Sequence, residues 1–266
     1  NGLKIIYLTL ALELRKLESK PRVAIVAVDP SSPFTGGAIL GDRIRMQELY
    51  GDHEIFVRSM ASRGNLGGLA WQTDAFTQVF DAVGYDYILI ETVGAGQAEV
   101  DVVNLAHTTI VVDVPGLGDD IQSIKAGILE IADILVVNKA DLPGAERTYR
   151  NLKAMLSIGH ANQPSQGKHK LASFSDPAFE TKPIEVWSPP VVKTIGTDKT
   201  GVTLVIDAIL AHKTYLMNSG VWERKRYINL ERQLRHLLKQ SLYENWEAGI
   251  PPIPSSTPAG ILMEIT

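Results

Sequence analysis

The sequence predicts an α/β fold, a mostly parallel sheet flanked by helices, with a C-terminal helical extension. Three observations carry this. Short β-branched runs recur through the first 200 residues, and most are almost continuously apolar, as strands covered on both faces are. Segments with apolar residues every three or four positions lie between them. Polar residues and glycines gather where the runs end, and in crossover-connected parallel sheets ligands sit beyond those carboxyl ends.

The runs are residues 23–28 (VAIVAV), 86–91 (DYILIE), 108–114 (TTIVVDV), 134–137 (ILVV) and 191–195 (VVKTI). Residues 54–60 (EIFVRSM) alternate and predict a weaker strand. Helical spacing joins Leu69, Thr73, Phe76, Phe80 and Val83, then Ile121, Ile124, Ile128 and Ile131, then more loosely Leu204, Ile206, Ile209 and Leu210. Residues 159–182 (containing GHANQPSQGKHK) have no periodicity and read as a surface insertion. Residues 221–243 predict a long charged helix with Leu230, Leu234, Leu237 and Leu238 on one side, stopping at Tyr243. The expected division is a domain over residues 1–215 and a helical extension over 216–266.

The 266 residues carry 26 Lys plus Arg against 30 Asp plus Glu, a net charge of −4, which gives no footprint for nucleic acid or an anionic membrane. The absence of cysteine excludes a disulfide scaffold, a thiolate metal site and a cysteine nucleophile. No apolar run reaches the roughly 18 residues of a membrane span. The chain opens on Asn1 rather than Met, so a beginning, with any targeting peptide, is expected to lie outside these residues.

Asn138-Lys139-Ala140-Asp141 follows the buried run ILVV directly. At a strand end the Asp141 carboxylate can accept from two nitrogens of guanine. Asn138 can contact the ring and tie neighbouring loops together, and the stem of Lys139 can cover the base face. Glu91 ends another buried run and is followed by Thr92-Val93-Gly94-Ala95-Gly96-Gln97. An acidic residue there can hold a Mg²⁺ water shell, and Gly94 lets a backbone N–H approach a terminal phosphate. Together the two segments predict a GTP site. Asp29 enters a Pro/Gly/Ser loop, where a carboxylate can bind Mg²⁺ through water or orient an attacking water; an N-cap and turn cluster is the plainer reading.

The segments VAVDPSSPFTGGAILGDRIRM, ILIETVGAGQAEV, GLGDDIQSIKAGILEIADILVVNKAD and PPVV resemble the MeaB/ArgK-type P-loop GTPases, over about residues 20–245. That family includes the protein associated with methylmalonic aciduria type A. The resemblance implies a P-loop NTPase fold and a Mg²⁺-dependent GTPase. It also implies a chaperone of adenosylcobalamin-dependent methylmalonyl-CoA mutase that gates cofactor loading and protects the enzyme, and a homodimer built through C-terminal helices. By position, Asp29 and Asp42 match acidic residues around Mg²⁺ and the first switch. Glu91 matches the acidic residue ending the Walker B strand. Gly94, Gln97 and Glu99 fall in the second switch. Residues 116–125 match the third switch, where Asp119, Gln122 and Lys125 couple nucleotide state to the mutase. Asn138, Lys139 and Asp141 read guanine, and Ile195-Gly196 backs the base where the family often has Ser-Gly. Any of Asp29, Asp42 and Glu91 can be the direct metal ligand.

A G-x-x-x-x-G-K-[ST] loop is expected roughly 25 residues before Asp29. Residues 1–8 (NGLKIIYL) do not hold it, although residues 7–16 look like the helix that follows such a loop. The expectation is a join near Ile6 with the phosphate loop left out, and a second join at Tyr243-Glu244. Two other readings stay open. One is a nucleotide-dependent interaction module that does not hydrolyse. The other is a metallochaperone GTPase of a neighbouring family, against which stand the absent cysteines and six dispersed histidines. A bacterial cytoplasm and a mitochondrial matrix both suit the composition, and neither a nucleic acid nor a membrane is an expected partner.

Overall fold

The computed structural model describes residues 2–29, 51–61, 66–92, 105–116, 131–161 and 186–249. The chain divides into two compact units, Asn1–Trp222 and Glu223–Thr266.

In the first unit the order is α1 (Gly2–Leu14), β1 (Val23–Asp29), β2 (Ile55–Ala61), α2 (Leu66–Ala82), β3 (Tyr87–Thr92), β4 (Ile110–Asp113), β5 (Ile134–Asn138), α3 (Ala145–Ala161), β6 (Val191–Thr194) and α4 (Val202–Asn218). Every ladder is parallel. The strands hydrogen-bond as two three-stranded sheets, β2-β1-β3 and β4-β5-β6, where the sequence predicts one. Among the described residues no ladder joins β3 to β4. One core nevertheless serves both sheets. Val23 and Ile25 of β1 share a cluster with Ile134 and Val136 of β5, under Leu10, Ala11 and Leu14 of α1 and Val205 and Ile206 of α4.

Burial explains the sequence pattern. β1 and β5 are the middle strands, and residues 23–28 and 134–138 are buried without alternation. β2 is paired on one edge among the described residues, with Ile55 in the shared core, Met60 on the opposite face in the cluster around Phe80, and Phe56 at 44% exposure. α1 is apolar nearly all round because it packs against α4 and both sheets. It is a single helix through Ile6. α2 seals the other face of the first sheet: Phe80 packs on Ala24, Val26, Val28 and Met60.

The sequence reading passes over α3, although Ala145, Tyr149 and Leu152 recur at helical spacing and pack on Val137. The predicted helix over residues 121–131 lies outside the described residues up to Ile131. Of the predicted insertion, residues 159–161 are the last turn of α3 and the rest falls outside the described residues.

α5 (Val221–Gly249) starts at the end of the first unit and makes up the described part of the second. It does not stop at Tyr243. Residues 244–248 carry two Glu and one Ala, which favour helix, and nothing breaks the pattern before Gly249, with Pro251 beyond it. Tyr227, Leu230, Leu234, Leu237, Leu238 and Leu242 are each at least 50% exposed.

Candidate guanine-nucleotide site

The carboxyl ends of β5 and β6 are neighbours, and Asn138 is the register partner of Thr194. Both side chains are buried, at 1% and 0% exposure. Asn138 Oδ1 accepts from the Thr194 hydroxyl and from the Gly196 N–H, each at 3.2 Å. The carboxamide oxygen is thus spent inside the protein and the amide end is directed by that choice. The Ala140 N–H donates to the Thr194 carbonyl at 3.0 Å, so the loop after β5 is stitched to the end of β6.

Lys139 stands at φ 55, the left-handed region that a residue with a Cβ enters at a cost. That turn lifts the chain out of the sheet and leaves Lys139 and Asp141 exposed, above the buried Asn138. A recessed carboxamide beside an exposed carboxylate and a lysine stem can receive a flat purine with acceptors and donors on one edge.

The backing loop is equally constrained. Ile195 and Thr200 form an antiparallel bridge, with the Ile195 N–H donating to the Thr200 carbonyl at 3.0 Å. Asp198 Oδ1 accepts from the Thr200 N–H at 2.9 Å, and the Thr200 hydroxyl first and this N–H second hold its carboxyl below the ordinary range. Gly201 closes the loop at φ +75, where a Cβ would lie 2.1 Å from the Lys193 carbonyl oxygen. Thr9 of α1 reaches in from below, its hydroxyl donating to the Gly196 carbonyl at 3.1 Å.

Glu91 and Asp29 end the neighbouring strands of the other sheet. Glu91 is opposite Ala27, so Asp29 follows two positions along on the same face. Glu91 is 9% exposed. The Glu91 carboxylate is a hard oxygen donor of the kind that suits Mg²⁺, which takes one or two carboxylates and fills its shell with water and phosphate. Among the described residues no group of three or more His, Cys, Asp or Glu could hold a metal ion. Asp42, Gly94, Gln97, Glu99, Asp119, Gln122 and Lys125 lie outside the described residues; of the predicted site residues, Asp29 and Glu91 stand on one sheet and Asn138, Lys139, Asp141, Ile195 and Gly196 at the end of the other.

Sequence reasoning missed Thr9 and Thr194, which read as ordinary helix and strand residues. It also missed Asp113, beside β5 in the ladder (Asp113 opposite Val137), whose carboxyl burial pushes up against the opposing effect of the Val114 N–H. β4 then turns through Pro115 and Gly116 (φ +82). Gly144, three residues after Asp141, has Pro115 as its nearest neighbour on the side-chain position, 3.9 Å away. The root of the predicted third switch and the loop after Asp141 are therefore adjacent.

Residues 7–250 match the methylmalonyl-CoA mutase-associated GTPase MeaB family. A Pyrococcus abyssi protein classed by name among the GTPases is 44% identical over 86% of this chain and 64% of its own length. The GTPase ArgK of Escherichia coli is 34% identical over 83% and 60%. The mitochondrial methylmalonic aciduria type A homolog of Caenorhabditis elegans is 31% identical over 88% and 54%. The chain thus spans less than two thirds of the length of these relatives. The crystal structure of a LAO/AO transport system kinase superposes with a TM-score of 0.61 at 22% identity, covering 92% of this chain and 66% of that one, and carries the same fold. Described spans contain no helix long and apolar enough to cross a membrane. The buried Asn138 with the exposed Lys139 and Asp141 after it and the match over residues 7–250 agree, and the chain belongs to the MeaB family of methylmalonyl-CoA mutase-associated GTPases.

Proposed function

We propose that this chain binds guanine nucleotides, hydrolyses GTP slowly in the setting of its whole protein, and chaperones methylmalonyl-CoA mutase by gating cofactor loading and protecting the enzyme. The observation that carries the nucleotide reading is the buried Asn138, pinned at Oδ1 by Thr194 and Gly196, three residues before the exposed Asp141. The Asp141 carboxylate accepts from the ring N–H and the exocyclic amine of guanine, a pattern adenine lacks.

Asp29 and Glu91, with Asp42, would hold Mg²⁺, which supplies charge compensation for a transferring phosphoryl group. Gln97 or one of the carboxylates orients the attacking water, and Gly94 offers its N–H to the terminal phosphate. Pro115 beside Gly144 supports a link from the base to the third switch, where Asp119, Gln122 and Lys125 meet the mutase. The leucine face of α5 supports a homodimer.

The test is direct. GDP binding by the purified chain should be displaced by GTP and not by ATP, and mutase should alter GTP turnover in a mixture of the two proteins. A chain that prefers neither GDP nor GTP over adenine nucleotides defeats the nucleotide reading, and turnover indifferent to mutase defeats the chaperone reading.

A further inference from the structure

We propose that Thr9 is a positioning residue for guanine selectivity, acting through Gly196; this rests on the guanine-nucleotide reading above. Thr9 lies in the middle of α1, is 6% exposed, and donates its hydroxyl to the Gly196 carbonyl at 3.1 Å across 187 residues of sequence. Gly196 is itself buried, and its N–H is one of the two donors that fix Asn138 Oδ1. Gly196 is therefore held at both of its backbone polar groups, by α1 on one side and by the base-reading carboxamide on the other. A second tie runs in parallel: Lys199 Nζ lies 3.6 Å from Glu13 Oε1, one helical turn along α1 from Thr9. α1 thus grips the loop of residues 195–201 at two places and carries the strain of Gly201 and the left-handed Lys199 (φ 69) that close it.

The consequence is specific. A buried carbonyl without its donor is costly to leave, so loss of the Thr9 hydroxyl shifts the Gly196 peptides. That shift releases one of the two bonds on Asn138 Oδ1 and lets the carboxamide turn. The edge of the base then meets a less ordered partner, while groups that do not read the base are untouched.

The experiment compares GDP and ADP binding to the full chain and its variants by competition. Thr9→Val removes the hydroxyl at constant shape and should lower the GDP-to-ADP affinity ratio by about tenfold. Thr9→Ser, which keeps a donor, should restore the ratio. In an Asn138→Ala background Thr9→Val should add little, because the two act in one chain of bonds. An unchanged ratio in Thr9→Val, or full additivity with Asn138→Ala, overturns the proposal. If the unmodified chain shows no preference for GDP, the guanine reading itself fails instead. A measurement on the unmodified, nucleotide-free chain decides the structural half without any variant. The Gly196 amide should exchange with solvent deuterium as slowly as the α1 amides around Thr9, and exchange as fast as at the exposed Thr197 overturns the grip of α1 on the loop.

Discussion

Asn138 and Thr194 face each other as the last register pair of β5 and β6, and the Thr194 hydroxyl donates to Asn138 Oδ1 over 3.2 Å in a fully buried setting. The bond settles which way the carboxamide points, because an oxygen held by Thr194 and Gly196 puts the NH₂ group on the remaining side. Thr194→Val keeps the volume and removes the donor. It should weaken GDP binding by roughly three- to tenfold while costing about 1 kcal/mol of stability. Calorimetric titration with GDP and urea unfolding of the same samples check both halves.

Asp141 invites a change of specificity rather than a loss. Asp141→Asn replaces two acceptors with one acceptor and one donor. Guanine then meets a donor facing its exocyclic amine, whereas xanthine offers an oxygen there. GDP affinity should fall by at least about a hundredfold, the scale of an unpaired buried polar group, and XDP affinity should rise. Asp141 is exposed, so the thermal midpoint should stay put.

How far the sequence carries depends on the range of each interaction. The tetrapeptide at Asn138 was legible because its residues are consecutive and follow four buried residues of β5, with Asn138 as the fifth. β1 and β5 were legible because middle strands are apolar on both faces. Thr9 and Thr194 were not, because their roles rest on contacts 187 and 56 residues away in sequence. α3 was legible yet not read: Ala145, Tyr149, Leu152 and Leu156 recur at steps of four, three and four. The sequence reading ends α5 abruptly at Tyr243, yet exposed helix formers need no apolar stripe to continue a helix already under way. The separation of β3 from β4 is a matter of long-range pairing and has no local signal.

Gly201 has no room for a side chain. Gly201→Ala combines φ +75 with a Cβ 2.1 Å from the Lys193 carbonyl oxygen. Backbone atoms on both sides must move, since neither belongs to a flexible side chain. A loss of about 3 kcal/mol is expected, or roughly 6–12 °C in thermal midpoint for a unit of this size. GDP affinity should fall with it, because Ile195 and Gly196 share that loop. Gly220→Ala is the control: it has φ +72 but open space around it, so it should cost only the left-handed backbone penalty.

Arg15 and Asp52 fix the end of α1 to the entry of β2. Arg15 Nε lies 2.7 Å from Asp52 Oδ2 and Arg15 Nη2 lies 3.2 Å from Oδ1, which also accepts from the Glu54 N–H at 3.0 Å. The Arg15 hydrogen bond is the main cause that holds the Asp52 carboxyl below its ordinary range. A depressed carboxyl stabilises the fold above its unfolded pKa of about 3.9, and that contribution disappears as pH falls through the lower folded value. Asp52→Asn should therefore cost about 1 kcal/mol or less at pH 7, given the partial exposure of the pair, and nothing once the wild-type carboxyl is protonated. Urea unfolding of both proteins from pH 7 to pH 2.5 should show two curves that converge below pH 4. A constant separation would refute the assignment.

The leucine face of α5 gives the last prediction. Leu230, Leu234, Leu237, Leu238 and Leu242 recur at steps of four, three, one and four, and each is 50–69% exposed. Arg235 pairs with Glu231 at 2.6 Å alongside them, so charged residues flank the stripe as they flank a helix-pairing seam. Such a stripe left in water forgoes about 1.5–3 kcal/mol per leucine, which a second copy of the same helix recovers by burying both. Leu234→Asp places a carboxylate in the middle of the seam, where pairing would desolvate it without a partner. Light scattering should find a dimer for the unmodified chain and a monomer for Leu234→Asp, with GDP binding by the first unit retained. Leu142→Asp, an equally polar change at an exposed leucine elsewhere, should leave the dimer intact.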